Sequence, residues 1–115
     1  MYKRQVYACT PSVGGRLLEG YIDLLYRTPD GLVVVDYKTA GTNDRTQLHE
    51  RVEGYRLQGG SYAISVARAT GEPVVRVAFL FLTPGGAVEI DLTGLDQVKA
   101  EVERLIASGD EVVLA

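Results

Sequence analysis

The hydrophobic and polar positions of this chain fall into short apolar runs separated by turn residues, with two longer stretches of helical spacing. Residues 4–9 read as a short strand and Ser12-Val13-Gly14-Gly15 as a turn. Arg16 to Tyr26 reads as a strand rich in Leu, Ile and Tyr. Thr28-Pro29-Asp30-Gly31 puts Pro and Asp at the centre of a turn and Gly at its close. Leu32 to Tyr37 is the second strand of a hairpin, carried by the β-branched run Val33-Val34-Val35. Thr39 to Thr46 is a polar loop. Leu48 to Ala69 has helical character and stops before Gly71 and Pro73. Gly54, Gly59 and Gly60 weaken that helix, since an interior glycine costs roughly 1 kcal/mol relative to alanine. Val74 to Leu82 is a further strand, the turn Thr83-Pro84-Gly85-Gly86 follows, and Ala87 to Asp91 is a short strand. Leu95 to Ala107 is an amphipathic helix with Leu95, Val98, Val102, Leu105 and Ile106 at core-facing spacing. That spacing reads as ordinary burial, or as a face that docks on a neighbouring domain. The expected fold is α/β, a small central mixed β-sheet flanked by helices.

Length and composition narrow the picture. The 115 residues suit one domain. No apolar run approaches the roughly 20 residues of a membrane span, and no apolar segment follows the N-terminal Met-Tyr-Lys-Arg-Gln as in a signal peptide. A soluble, cytoplasmic protein with no membrane partner is the expectation. The single cysteine, Cys9, cannot form an internal disulfide, a four-cysteine iron–sulfur cluster or a zinc finger. It reads as a small core residue. The glycine pairs lack the G-x-x-x-x-G-K-[ST] pattern, so no nucleotide site is expected in this chain. His49, the only histidine, reads as solvent-exposed or capping.

The formal net charge is −3, but it is unevenly spread: residues 1–68 hold nine Lys/Arg against seven Asp/Glu, and residues 69–115 hold three against eight. A phosphate-binding face would therefore draw on Arg45, Arg51 and Arg56, although charge alone also fits ordinary solvated surface.

The chemistry-bearing residues sit in the hairpin. Asp36 and Lys38 are two apart at the end of an apolar strand, so both side chains project to one side. Asp23 interrupts the preceding strand. With Pro29 and Asp30 as a two-residue turn, paired residue numbers sum to 59 and Asp23 falls opposite Asp36. Carboxylates so placed have Cβ atoms about 5 Å apart and repel, which calls for a compensating cation. Lys38 is one candidate and a hard divalent ion, Mg²⁺ or Mn²⁺, is the other. A bulge at Gly31 would shift the pairing by one and send Asp23 to the other face unless a second bulge restored it. The plainer alternative is a set of hairpin-edge charges facing solvent, with the acids paired to Lys38.

Three blocks occur in order: Gly20-Tyr21-Ile22-Asp23, then Val35-Asp36-Tyr37-Lys38-Thr39, then Gln58-Gly59-Gly60-Ser61-Tyr62. Together they resemble the RecB-type nuclease domain of the PD-(D/E)XK superfamily, whose pattern is G-x-x-D, a hairpin, D-x-K-T and Q-x-x-x-Y on the following helix. The resemblance covers roughly residues 3–92. It implies a restriction-endonuclease-like core. Asp23 and Asp36 would ligate Mg²⁺ or Mn²⁺ with the backbone carbonyl of Tyr37, and Lys38 would act on the attacking water and the phosphate. Gln58 and Tyr62, at i and i+4 on one helix face, would border the site or the DNA strand. On spacing alone Tyr62 equally reads as core and Gln58 as surface. Members also carry helices upstream of the first strand that commonly supply a further metal ligand, and some have a glutamate where Gln5 stands here. The chain thus reads as a fragment of a larger protein, with Glu19 or Glu50 as candidate substitutes. The implied function is metal-dependent DNA hydrolysis, exonucleolytic, in end processing and recombinational repair. The implied partner is a helicase, on the same chain or elsewhere in the same complex. The alternative is a catalytically impaired nuclease-like module that serves DNA binding or assembly.

Overall fold

The computed structural model describes residues 3–7, 10–11, 17–18 and 21–109, with side chains from Ile22 onward. Cys9, the Ser12–Gly15 turn, Glu19, Gly20 and the side chain of Gln5 lie outside the described residues. In chain order the elements are β1 (Lys3–Tyr7), β2 (Thr10–Pro11), β3 (Leu17–Leu18), β4 (Tyr21–Thr28), β5 (Gly31–Thr39), α1 (Arg45–Gly54), α2 (Arg56–Thr70), β6 (Val74–Thr83), β7 (Gly86–Asp91) and α3 (Leu95–Ala107).

Five strands form one mixed sheet in the order β1-β4-β5-β6-β7. Only β5 and β6 pair in parallel, and α1 and α2 form the crossover between them. A parallel connection needs such a crossover, and central strands are apolar on both faces. Leu32-Val33-Val34-Val35 and Val77-Ala78-Phe79 meet that demand, each with at most a few per cent of its surface exposed.

The strand expected from Arg16 to Tyr26 is not continuous. Leu17–Leu18 pairs with Thr10–Pro11 in a separate two-stranded sheet, and β4 starts at Tyr21. The single helix expected from Leu48 to Ala69 is also two helices. The first begins earlier, at Arg45, because Asp44 caps it: its carboxylate accepts from the Thr46 and Gln47 amides at 2.9 and 3.4 Å. The break falls at Tyr55, whose φ of −103° and ψ of 12° leave the helical region.

The helices pack on one face of the sheet. Leu48 and Val52 of α1, Tyr62, Ala63 and Val66 of α2, and Val98 of α3 share a core with Val34, Val77, Phe79, Phe81 and Ile90. Two glycines allow α2 to lie between sheet and α3. A Cβ on Gly59 would stand 2.6 Å from Leu92 and 3.3 Å from Val77, and one on Gly60 would stand 3.2 Å from the Val98 carbonyl oxygen. Helix propensity is given up there for close approach. The reverse face carries a smaller cluster of Leu24, Val33, Val35 and Ala78, flanked by Tyr26, Tyr37 and Leu80. Among the described residues no helix is long and apolar enough to cross a membrane.

Candidate active site

The hairpin register brings the site together. Leu24 pairs with Val35, Leu25 with Val34, Tyr26 with Val33, Arg27 with Leu32 and Thr28 with Gly31, so paired numbers sum to 59 throughout. No bulge interrupts this ladder. The turn is closed by the Thr28 hydroxyl, which donates to the Gly31 carbonyl at 2.8 Å and accepts from its amide at 3.3 Å. Beyond Leu24 the pairing changes character: the Tyr37 amide donates to Asp23 Oδ2 at 2.9 Å. Ile22 and Leu25 both join the helix-side core while Leu24 lies on the reverse face, so the alternation of β4 slips at Asp23. That slip and that hydrogen bond fix the Asp23 carboxylate against β5.

Asp36 shares a strand face with Val34 and Lys38, the face covered by the helices. It is 5% exposed. Burial, and then a hydrogen bond to Asp23, push its carboxyl up to about 6 from an ordinary 3.8, against the opposing pull of the Lys38 ammonium. The two acids therefore meet.

Lys38 Nζ donates to Gln58 Oε1 at 3.1 Å and lies 3.1 Å from Asp36 Oδ2. The approach to Asp36 has the distance of an ion pair without hydrogen-bond direction, and Oδ2 is buried with no hydrogen-bond partner among the described residues. The same ammonium stands 4.2 Å from the centre of the Tyr55 ring, within cation–π range.

Asp23, Asp36, Lys38 and Gln58 thus come together from β4, β5 and α2. Tyr62 does not join them at the surface; it is buried in the helix-side core. Arg51 reaches the rim, donating to the Thr39 carbonyl at 2.9 Å and to the Tyr55 hydroxyl at 3.1 Å. Arg56 is engaged with Glu53 at 3.6 Å and the Thr93 carbonyl at 3.1 Å. Arg45 is exposed at the first turn of α1. Glu50 and His49, both exposed, line a surface groove of about 350 Å³ with Glu53 and Asp91. Sequence reasoning missed Tyr55. The only signal for it was an aromatic residue directly after Gly54, where an interrupted helix could turn a ring toward the sheet.

The donor set fits a hard divalent cation. Two adjoining carboxylates supply oxygen ligands, and Asp36 Oδ2 is a buried acceptor with its capacity unmet. Among the described residues no cluster of three or more acidic, histidine or cysteine side chains forms. Mg²⁺ commonly uses one or two carboxylates and keeps several waters, so two are enough to hold it.

The family model of the PD-(D/E)XK nuclease superfamily matches residues 3–112. An ATP-dependent helicase/nuclease subunit of Levilactobacillus brevis is 34% identical over 77 residues, 64% of this chain. Its counterpart from Desulforudis audaxviator is 40% identical over 76 residues, also 64% of the chain. The chain spans about 6% of the length of these relatives. The crystal structure of SSO0001 aligns at a TM-score of 0.45 and 15% identity, over 97% of this chain and 52% of that one.

Proposed function

The chain belongs to the PD-(D/E)XK nuclease superfamily, and from that premise we propose that it hydrolyses DNA phosphodiester bonds with a divalent cation held by Asp23, Asp36 and the Tyr37 carbonyl. The observation that carries the reading is the joined pair of acids beside Lys38, with a buried Asp36 oxygen left without a hydrogen bond. Two carboxylates in contact repel, and a domain with only a structural task gains nothing from that repulsion.

A bound Mg²⁺ or Mn²⁺ would neutralise phosphate charge and lower the pKa of an attacking water. The chain's own residues do the rest. Asp23 is oriented by the Tyr37 amide, which donates to its Oδ2. Lys38 keeps a positive charge beside the acids, where a scissile phosphate gains negative charge in the transition state. Gln58 accepts from that ammonium and restricts where it points. Tyr62 supports the helix that carries Gln58. Arg51, and Arg45 beyond it, would meet the DNA backbone. Products with a 5′-phosphate and a 3′-hydroxyl are expected, from exonucleolytic digestion in DNA end processing. The two helicase/nuclease relatives support a helicase as partner.

A second reading, a nuclease-like module that binds DNA without cutting it, is favoured by the gathering of only two carboxylates among the described residues. Digestion of linear single- and double-stranded DNA with Mg²⁺ or Mn²⁺ separates the two. Asp36→Ala and Lys38→Ala should each lower the rate by at least about a hundredfold, the scale for losing a charge-stabilising group. Cleavage that persists unchanged in both variants would rule out the site.

A further inference from the structure

We propose that Tyr55 is a positioning residue for Lys38: its ring, with Gln58, holds the lysine amine in place beside the Asp36 carboxylate. The inference rests on the nuclease reading above.

The geometry of the amine is the first support. An ammonium has three donors. Lys38 Nζ directs one to Gln58 Oε1 at 3.1 Å and lies 4.2 Å from the Tyr55 ring centre. It also stands 3.1 Å from Asp36 Oδ2, the distance of an ion pair. Gln58 and the ring together hold the amine beside the carboxylate.

The ring is itself fixed. One side stacks on Phe79, with centres 5.5 Å apart and planes at 29°. Its hydroxyl accepts from Arg51 Nη2 at 3.1 Å, and Arg51 Nη1 donates to the Thr39 carbonyl at 2.9 Å. Thr39 follows Lys38 in the chain, so the clamp ties the ring to the strand end that bears the lysine.

The position is also a poor one for tyrosine on local grounds. Tyr55 is the N-cap of α2 and makes no side-chain cap hydrogen bond. Ser, Thr, Asp or Asn would satisfy the helix amides there. A residue that breaks a local rule at a candidate site is one whose side chain is used elsewhere.

The test compares Tyr55→Phe, which keeps the ring, with Tyr55→Leu, which removes it. Thermal melts establish folding, calorimetry measures Mn²⁺ affinity, and steady-state digestion gives kcat and KM. Tyr55→Leu should lower kcat by about tenfold, at the low end for residues that orient ligands, with Mn²⁺ affinity and KM for DNA unchanged. Tyr55→Phe should stay near wild type in all three. If the leucine variant does not fold, Tyr55→Met takes its place with the same expected losses. Wild-type kcat in the ring-free variant would overturn the proposal, and so would equal losses in the two Tyr55 variants. Lys38→Ala distinguishes the levels: wild-type cleavage that survives it ends the nuclease reading, as does a wild type that neither binds Mn²⁺ nor cuts DNA, and the role of Tyr55 falls with it.

Discussion

At the scale of single residues, Asp36 links stability to function. Its carboxyl sits at about 6 against an ordinary 3.8, because burial and the Asp23 hydrogen bond favour the protonated form. The sign follows from linkage. A raised folded-state pKa contributes stability that is fully present below the unfolded value, near pH 4. That contribution declines as pH rises, and it is gone above about pH 6. The shift corresponds to on the order of 3 kcal/mol. Without metal, the wild type and Asp36→Asn should therefore melt alike near pH 4, and the asparagine variant should be the more stable by pH 7.5. Melts in chelator across that range check it; a difference that does not change with pH would refute the assignment. Mn²⁺ competes with the proton for the same carboxylate. It should therefore raise the wild-type melting temperature more at pH 7.5 than at pH 5, and leave Asp36→Asn almost unmoved.

At the scale of elements, α2 shows why sequence reading succeeds in one place and fails in another. The hairpin register was legible because the Pro29-Asp30 turn is local: two residues set the pairing sum, and the observed pairs follow it from Thr28–Gly31 to Leu24–Val35. The mixed α/β sheet and α3, Leu95–Ala107, were legible from periodicity alone. The break at Tyr55 was not, because Gly54, Gly59 and Gly60 look alike by propensity and differ only in what faces them. A Cβ at Gly54 meets nothing within 4 Å, whereas one at Gly59 runs into Leu92 and Val77. Gly54→Ala should therefore be neutral or stabilise by about 0.5 kcal/mol, as a helix-propensity gain. Gly59→Val should destabilise by roughly 2 kcal/mol through overpacking. Denaturant titration of the two variants checks the contrast, and equal stabilities would mean that α2 does not lie as close to β6 as described. Tyr55 itself could not be assigned from sequence, since its role depends on Lys38, Phe79 and Arg51 arriving from three other parts of the chain.

At the scale of the whole molecule, a net charge of −3 limits how DNA can be held. Much of the positive charge is already committed. Arg27 is paired with Glu72, Arg76 with Glu89 and Asp91, and Arg56 with Glu53. Among the described residues the cations near the two acids are Lys38 and Arg51, with Arg45 exposed at the start of the helix that carries Arg51. These three described cations give a footprint of about three phosphates, and the logarithm of the binding constant should fall with the logarithm of salt at a slope of about −2.7. Between 50 and 200 mM salt that is a loss of roughly fortyfold, well short of the thousandfold or more expected of a protein with six to ten phosphate contacts. Arg51→Ala should reduce the slope by about one, whereas Arg76→Ala, on the reverse face of the sheet, should leave it unchanged. Fluorescence anisotropy on a short duplex, in calcium or in chelator to prevent cleavage, measures both. A slope of −6 or steeper would place the DNA on a basic surface other than this one, and a slope insensitive to Arg51 would remove that residue from the contact. A shallow slope has a functional consequence: turnover should rise when a DNA-holding partner such as a helicase delivers the strand.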